Sequence, residues 1–162
     1  MIFRFILFFF LFYSYTSLGF EFACKFEEVY IDGNTQQGLM LIKKNKLRYE
    51  YSDENLFTII HKNNNTTISK NNNRKQIDNY EGDNNLIDHF MSITNDFPNL
   101  KEVYNINNFK IIVENSSLND FIKRLAVVSD DINLSIYFQN CKSDEILDLY
   151  FQHNPYFRYS LS

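Results

Sequence analysis

The stretch GLMLIKKNKLRYEY, Gly38 to Tyr51, decides how this chain is read. An apolar run passes through a basic block, KKNK, and resumes as LRYEY with one arginine among aromatics. Two β-prone runs around a short polar connection predict a hairpin. Arg48 either faces solvent beside Glu50 and Glu28 or points at something that needs a cation.

Outward from this hairpin the text alternates between short runs and turn signals. KFEEVYI precedes Asp32-Gly33-Asn34, and LFTIIH, TTIS and KQIDNY are separated by Asn-rich segments. Asparagine tolerates left-handed turn conformations, so these segments read as turns of an antiparallel meander. The pattern changes at DNNLIDHFMSI, where Asp83 or Asn84 caps a helix and Leu86, Ile87, Phe90, Met91 and Ile93 form its apolar stripe. TNDFPNLKEVYNIN is ambiguous, a loop or a second short helix around Pro98 to Tyr104. FKIIVEN and INLSIYFQN read as strands, SSLNDFIKRLAVVSD as a helical turn followed by a strand, and EILDLYFQH as a strand pairing with INLSIYFQN. The expected class is α+β, mainly antiparallel β.

The chain has 162 residues, 44% hydrophobic and 17% aromatic, with four glycines and two prolines. That composition folds rather than staying disordered. Residues 1–19 carry Arg4, an apolar run from Phe5 to about Tyr13, and Ser17 and Gly19 before a cleavage point, and read as a signal peptide. A single domain over 20–162 follows. Glu21 stands where a lipoprotein signal wants an apolar residue before Cys24, which disfavours lipidation there. Residues 1–19 hold Arg4 and no acid, so their removal takes the net charge from −4 to −5. A nucleic-acid binder relying on phosphate neutralisation is thereby disfavoured. Cys24 and Cys141 are most simply a disulfide in an oxidising compartment, closing a loop worth roughly 4 kcal/mol; two buried free thiols are the alternative.

No catalytic motif emerges. His61, His89 and His153 are scattered, and Glu27-Glu28 and Asp130-Asp131 fall at strand edges and turns, where solvated carboxylates are the default. Lys43, Lys44 and Lys46 read as a hairpin tip, with an acidic docking partner as the lesser alternative. No cofactor, metal or enzymatic activity is expected. A sheet with an apolar face covered by an apolar helix stripe is either a filled core or a greasy cavity, and the residues alone favour the core.

QQGLMLIKKNKLRYEY resembles the hairpin of the periplasmic outer-membrane lipoprotein carriers, the LolA-like proteins. Gly38 stands for that family's leading glycine and Leu47 to Tyr51 for its arginine strand. LFTIIHKNNNTTISKNNNRKQIDNY is similar to its next hairpin, and the run from Phe121 to Phe157 to its C-terminal strands. The chain departs from the pattern in lacking a proline at the tip, in Tyr49 for a tryptophan, and in most of the N-terminal helix. The resemblance implies an open half-barrel of strands with a helical lid over the concave face. It implies a monomeric periplasmic carrier that takes lipoprotein acyl chains from the inner to the outer membrane. Its partners would be acylated lipoproteins and the inner-membrane lipoprotein-releasing transporter, with an outer-membrane acceptor as a further candidate. Arg48 would be the switch between lid and cavity. Alternation then puts Met40 and Ile42 on its side, with Phe57, Ile59, Leu86, Phe90, Ile93, Leu134, Ile136, Phe138 and Phe151 as further cavity candidates. The competing reading is a secreted structural or interaction domain on a similar scaffold with a filled core.

Overall fold

The computed structural model describes residues 20–80, 86–116, 121–143, 145–153 and 159. Strands β1 (Glu21–Tyr30), β2 (Thr35–Lys43), β3 (Lys46–Tyr51), β4 (Phe57–Lys62), β5 (Asn65–Lys70) and β6 (Asn73–Asn79) form one meander. Helix α1 (Leu86–Asn95) follows, then a second meander of β7 (Val103–Ile106), β8 (Phe109–Asn115), β9 (Ile122–Val128) and β10 (Asn133–Lys142). The two meanders fuse where β1 pairs antiparallel with β10, giving one ten-stranded sheet ordered β6-β5-β4-β3-β2-β1-β10-β9-β8-β7. The edge strands β6 and β7 are the two that α1 connects.

The class is therefore not α+β with a helical lid. Among the described residues the protein is an open, β-rich sheet with a single ten-residue α-helix. The structure decides one open reading and overturns one expected element. The stretch around Pro98 holds turns and a bend and then enters β7, so no second α-helix forms there. EILDLYFQH is not a strand: it contains a 3-10 turn, Asp148–Tyr150, and runs as a strap across the sheet. The reason is topological. Both edges of β10 are already occupied, by β1 and β9, so no hydrogen-bonding row remains for it. The signal peptide, the Asp83 and Asn84 cap and most of the C-terminal tail lie outside the described residues.

Turn chemistry sets the register. Asn63 and Asn64, at φ 54° and 59°, form the two-residue connection between β4 and β5, as a type I′ turn requires. Lys44 and Asn45 join β2 to β3 with Lys43 opposite Lys46. Leu47 therefore lies opposite Ile42, and Arg48 opposite Leu41. Residues directly opposite share a face, so odd positions of β3 go with even positions of β2. The front face carries α1; its core includes Phe22, Cys24, Phe26, Met40, Ile42, Leu47 and Tyr49. The back face holds a smaller core of Ala23, Leu41, Ile60, Ile146 and Phe151 under the strap.

Two close contacts hold the middle of the sheet. Gly38 has no room for a Cβ, which would overlap the Glu50 carbonyl oxygen and the Phe26 ring. The Phe26 ring in turn stacks on Tyr49, centroids 3.9 Å apart. Cys24 and Cys141 form a disulfide. Opposite Cys24, three steps along β10 match two along β1, an extra residue accommodated by Asn140 at φ 51°.

The strap is tied at both ends. Lys43 Nζ donates to the Ile146 carbonyl (2.6 Å), and Lys46 Nζ pairs with Asp148 (2.7 Å). Two of the three lysines read as a solvated tip thus anchor the strap, leaving Lys44 exposed. At the other end His153 lies between Thr67 Oγ1 (2.8 Å) and Ser69 Oγ (2.7 Å). Burial, then the positive charges of Arg48 and Arg74, push the His153 imidazole down to about 4. A histidine kept neutral in the fold but protonated at about 6.5 when unfolded stabilises fully above that value. The contribution is lost as the pH falls toward 4 and, screened by solvent around the half-buried ring, amounts to about 1–2 kcal/mol. Stability measured by chemical denaturation is expected to decline from pH 6.5 to 4.5 in the native protein. In His153→Gln that decline is expected to flatten; an unchanged slope would remove His153 as its origin.

Candidate functional site

A cavity of about 130 Å³ lies between α1 and the front of the sheet. Sequence periodicity positions its two walls. The helix contributes Leu86, Ile87, Phe90 and Ile93, spaced to lie on one side, and α1 is held down by buried Met91, Ile93 and Thr94. The sheet contributes alternating positions of β10, Leu134, Ile136 and Phe138, with their cross-strand neighbours Leu125 and Val127 of β9. Ile111 of β8, Ile59 of β4 and Leu47 of β3 complete the apolar wall. Phe90 stacks against Phe138, centroids 6.2 Å apart.

Of the residues expected to line a cavity, Ile59, Leu86, Phe90, Ile93, Leu134, Ile136 and Phe138 are brought together there. Met40 and Ile42 belong to the same face but are fully buried in the core without reaching the cavity. Phe57 is 39% exposed near the start of β4, and Phe151 is buried on the back face.

Arg48 does not face the cavity. The parity of the β2–β3 hairpin puts it on the back, away from Met40 and Ile42 and beside Leu41. The expectation that all three share a side is thereby corrected. There Arg48 is 1% exposed. Its Nε and Nη2 both donate to Glu50 Oε2 (2.8 and 2.6 Å), and Nη1 donates to the carbonyls of Tyr150 (2.9 Å) and Gln152 (3.0 Å). Arg74 Nη2 takes the other Glu50 oxygen. Burial raises the Glu50 carboxyl, but Arg48 and Arg74 outweigh it and hold it below its ordinary value. Arg48 binds backbone carbonyls of the C-terminal strap, one of them from Tyr150 at the end of its 3-10 turn.

One feature of the cavity wall escaped the sequence reading. Glu28 is 4% exposed and sits among the lining residues, at the polar end of an otherwise apolar space. Its Oε1 accepts from Tyr49 Oη (2.8 Å), its Oε2 from Tyr30 Oη (2.5 Å), and Tyr51 Oη lies 3.1 Å from both. Burial first, then the Glu28 carboxylate, raises all three phenols, Tyr30 to about 12 and Tyr49 and Tyr51 likewise upward. They remain protonated donors at neutral pH. The signal was in the alternation of β1. Phe22, Cys24, Phe26, Glu28 and Tyr30 are every second residue, so Glu28 falls in the apolar stripe and not at a solvated edge.

Among the described residues no group of three or more His, Cys, Asp or Glu could hold a metal ion, and no helix is long and apolar enough to cross a membrane. The chain matches no protein-family model, and no curated protein matches it.

Proposed function

We propose that this protein is a carrier that binds the acyl chains of lipoproteins between α1 and the sheet and moves them across the periplasm, from the inner to the outer membrane. The observation carrying this reading is the apolar space under α1, walled by leucine, isoleucine, valine and phenylalanine. Each methylene withdrawn from water contributes about 0.8 kcal/mol, so a soluble carrier needs such a surface. At about 130 Å³ the space is close to the roughly 150 Å³ that admits one benzene. A space of that size takes only part of an acyl chain at a time. The disulfide is compatible with an oxidising compartment. Acylated lipoproteins and an inner-membrane transporter that releases them are the partners this role requires.

A palmitoylated peptide and its unacylated counterpart, each mixed with the protein and analysed by native mass spectrometry, test the reading. A complex with the acylated peptide alone is expected, weakened at least tenfold by Phe90→Glu at the helix wall. Equal retention of the two peptides would sink it. That outcome would favour the second reading, an interaction domain with a filled front core and no lipid cargo, which the small cavity volume supports.

A further inference from the structure

The structure contains two buried carboxylates with opposite surroundings. Glu50 on the back face is met by two guanidinium groups. Glu28 on the front face is met only by phenols, and none of the ion pairs among the described residues includes it. An ionised carboxylate has about four lone-pair sites, and the three tyrosines supply three protons. Tyr51 is shared between the two oxygens, so each oxygen has two phenol contacts, but no cation among the described residues pairs with the carboxylate, in a place where burying an unpaired charge is costly. Beside Glu28 the cavity wall presents the rings of Tyr49 and Tyr51, whose faces attract cations. The rest of the wall is apolar.

We propose that the cavity is a site for a small ligand with an apolar body and a primary ammonium group, the ammonium docking on Glu28 and the body lying under α1. The ammonium supplies the missing charge and takes the carboxylate position that Tyr51 shares between the two oxygens. Its other protons meet the lone pairs of the tyrosine oxygens. A carboxylate head is repelled, and a hydroxyl head makes the hydrogen bond without the charge. At about 130 Å³ the space suits a chain of about six carbons or one ring without displacement of the helix. This assignment shares the cavity with the proposed acyl-chain carrier but does not need lipoprotein cargo.

Hexylamine, hexanol and hexanoate, titrated calorimetrically at pH 7 and constant ionic strength, form the test; the amine is cationic there because alkylammonium groups titrate near 10.4. Hexylamine is expected to bind at least tenfold more tightly than hexanol, and hexanoate more weakly than either. Glu28→Gln is expected to remove most of hexylamine's advantage over hexanol. Hexanol binding as tightly as hexylamine, no binding by any of the three, or an amine affinity indifferent to Glu28→Gln would each overturn the proposal. Should Glu28→Gln not fold, the head-group order on the native protein decides alone. Dihexanoyl phosphatidylethanolamine, below its micelle concentration, separates two sources of the ammonium. Binding that hexylamine competes away assigns the site to a lipid headgroup, whereas hexylamine binding without it assigns the site to free amines; both uphold the ammonium class. The palmitoylated-peptide result is read separately. Peptide binding without head-group preference preserves the carrier and removes this inference, and the reverse pattern does the opposite.

Discussion

Glu50→Leu is expected to destabilise the protein by about 3–5 kcal/mol, the range for removing one partner of a buried charge pair. The geometry explains why the loss is large. Arg48 is 1% exposed and its Nε and Nη2 both depend on Glu50, while Arg74, with a side chain 7% exposed, depends on the other Glu50 oxygen. Leucine would leave two guanidinium groups buried on the back face with no negative partner among the described residues. The strap would loosen in turn, because Arg48 holds Tyr150 and Gln152 only while its guanidinium is fixed in place. Arg74→Met is expected to cost less, since the Arg48–Glu50 pair stays complete. Urea unfolding with the disulfide intact measures the difference as a midpoint shift on the order of 2 M for Glu50→Leu. Equal midpoints for Glu50→Leu and the native protein would mean that the cluster is solvated and carries no net stabilisation.

Removing the disulfide is the second large effect. Cys24 and Cys141 are 117 residues apart, and chain-entropy reasoning assigns about 4.7 kcal/mol to a loop of roughly 100 residues, with about 2–4 typical of measured cases. The cross-link also sits at the one strand pair that unites the two meanders, β1 with β10. Cys24→Ala combined with Cys141→Ala is expected to lower Tm by roughly 10–20 °C, and reduction of the native protein by a phosphine should reproduce most of that drop. Coincident melting of the oxidised and reduced forms would show that the β1–β10 pairing holds without the bond.

The legible and illegible parts of this fold separate by range. The hairpin from Gly38 to Tyr51 and the Asn63-Asn64 turn were readable because strand alternation and turn chemistry are properties of a few adjacent residues. The stripe of α1 was readable for the same reason. EILDLYFQH has a strand-like composition, and only occupancy of the β10 edges excludes it from the sheet. The face of Arg48 is not legible locally, because the parity of a hairpin depends on its connection length, and a basic block of four residues does not reveal that only two of them form the turn. Glu28 is not legible as a buried group because a pair of adjacent glutamates suggests solvent. Its role becomes visible only when Tyr49 and Tyr51, more than twenty residues away, come to the same face.

By itself, then, the sequence determined the antiparallel strands, the places where the chain turns, the position of one amphipathic helix and a pair of cysteines suited to bonding. All of these follow from local periodicity and residue chemistry. The tertiary structure alone decided that β1 meets β10, that Arg48 clasps a strap on the back, and that a carboxylate ringed by tyrosines closes one end of an apolar cavity. Those are contacts between segments far apart in the chain, whose pairing depends on which hydrogen-bonding edges and buried faces the rest of the fold leaves available.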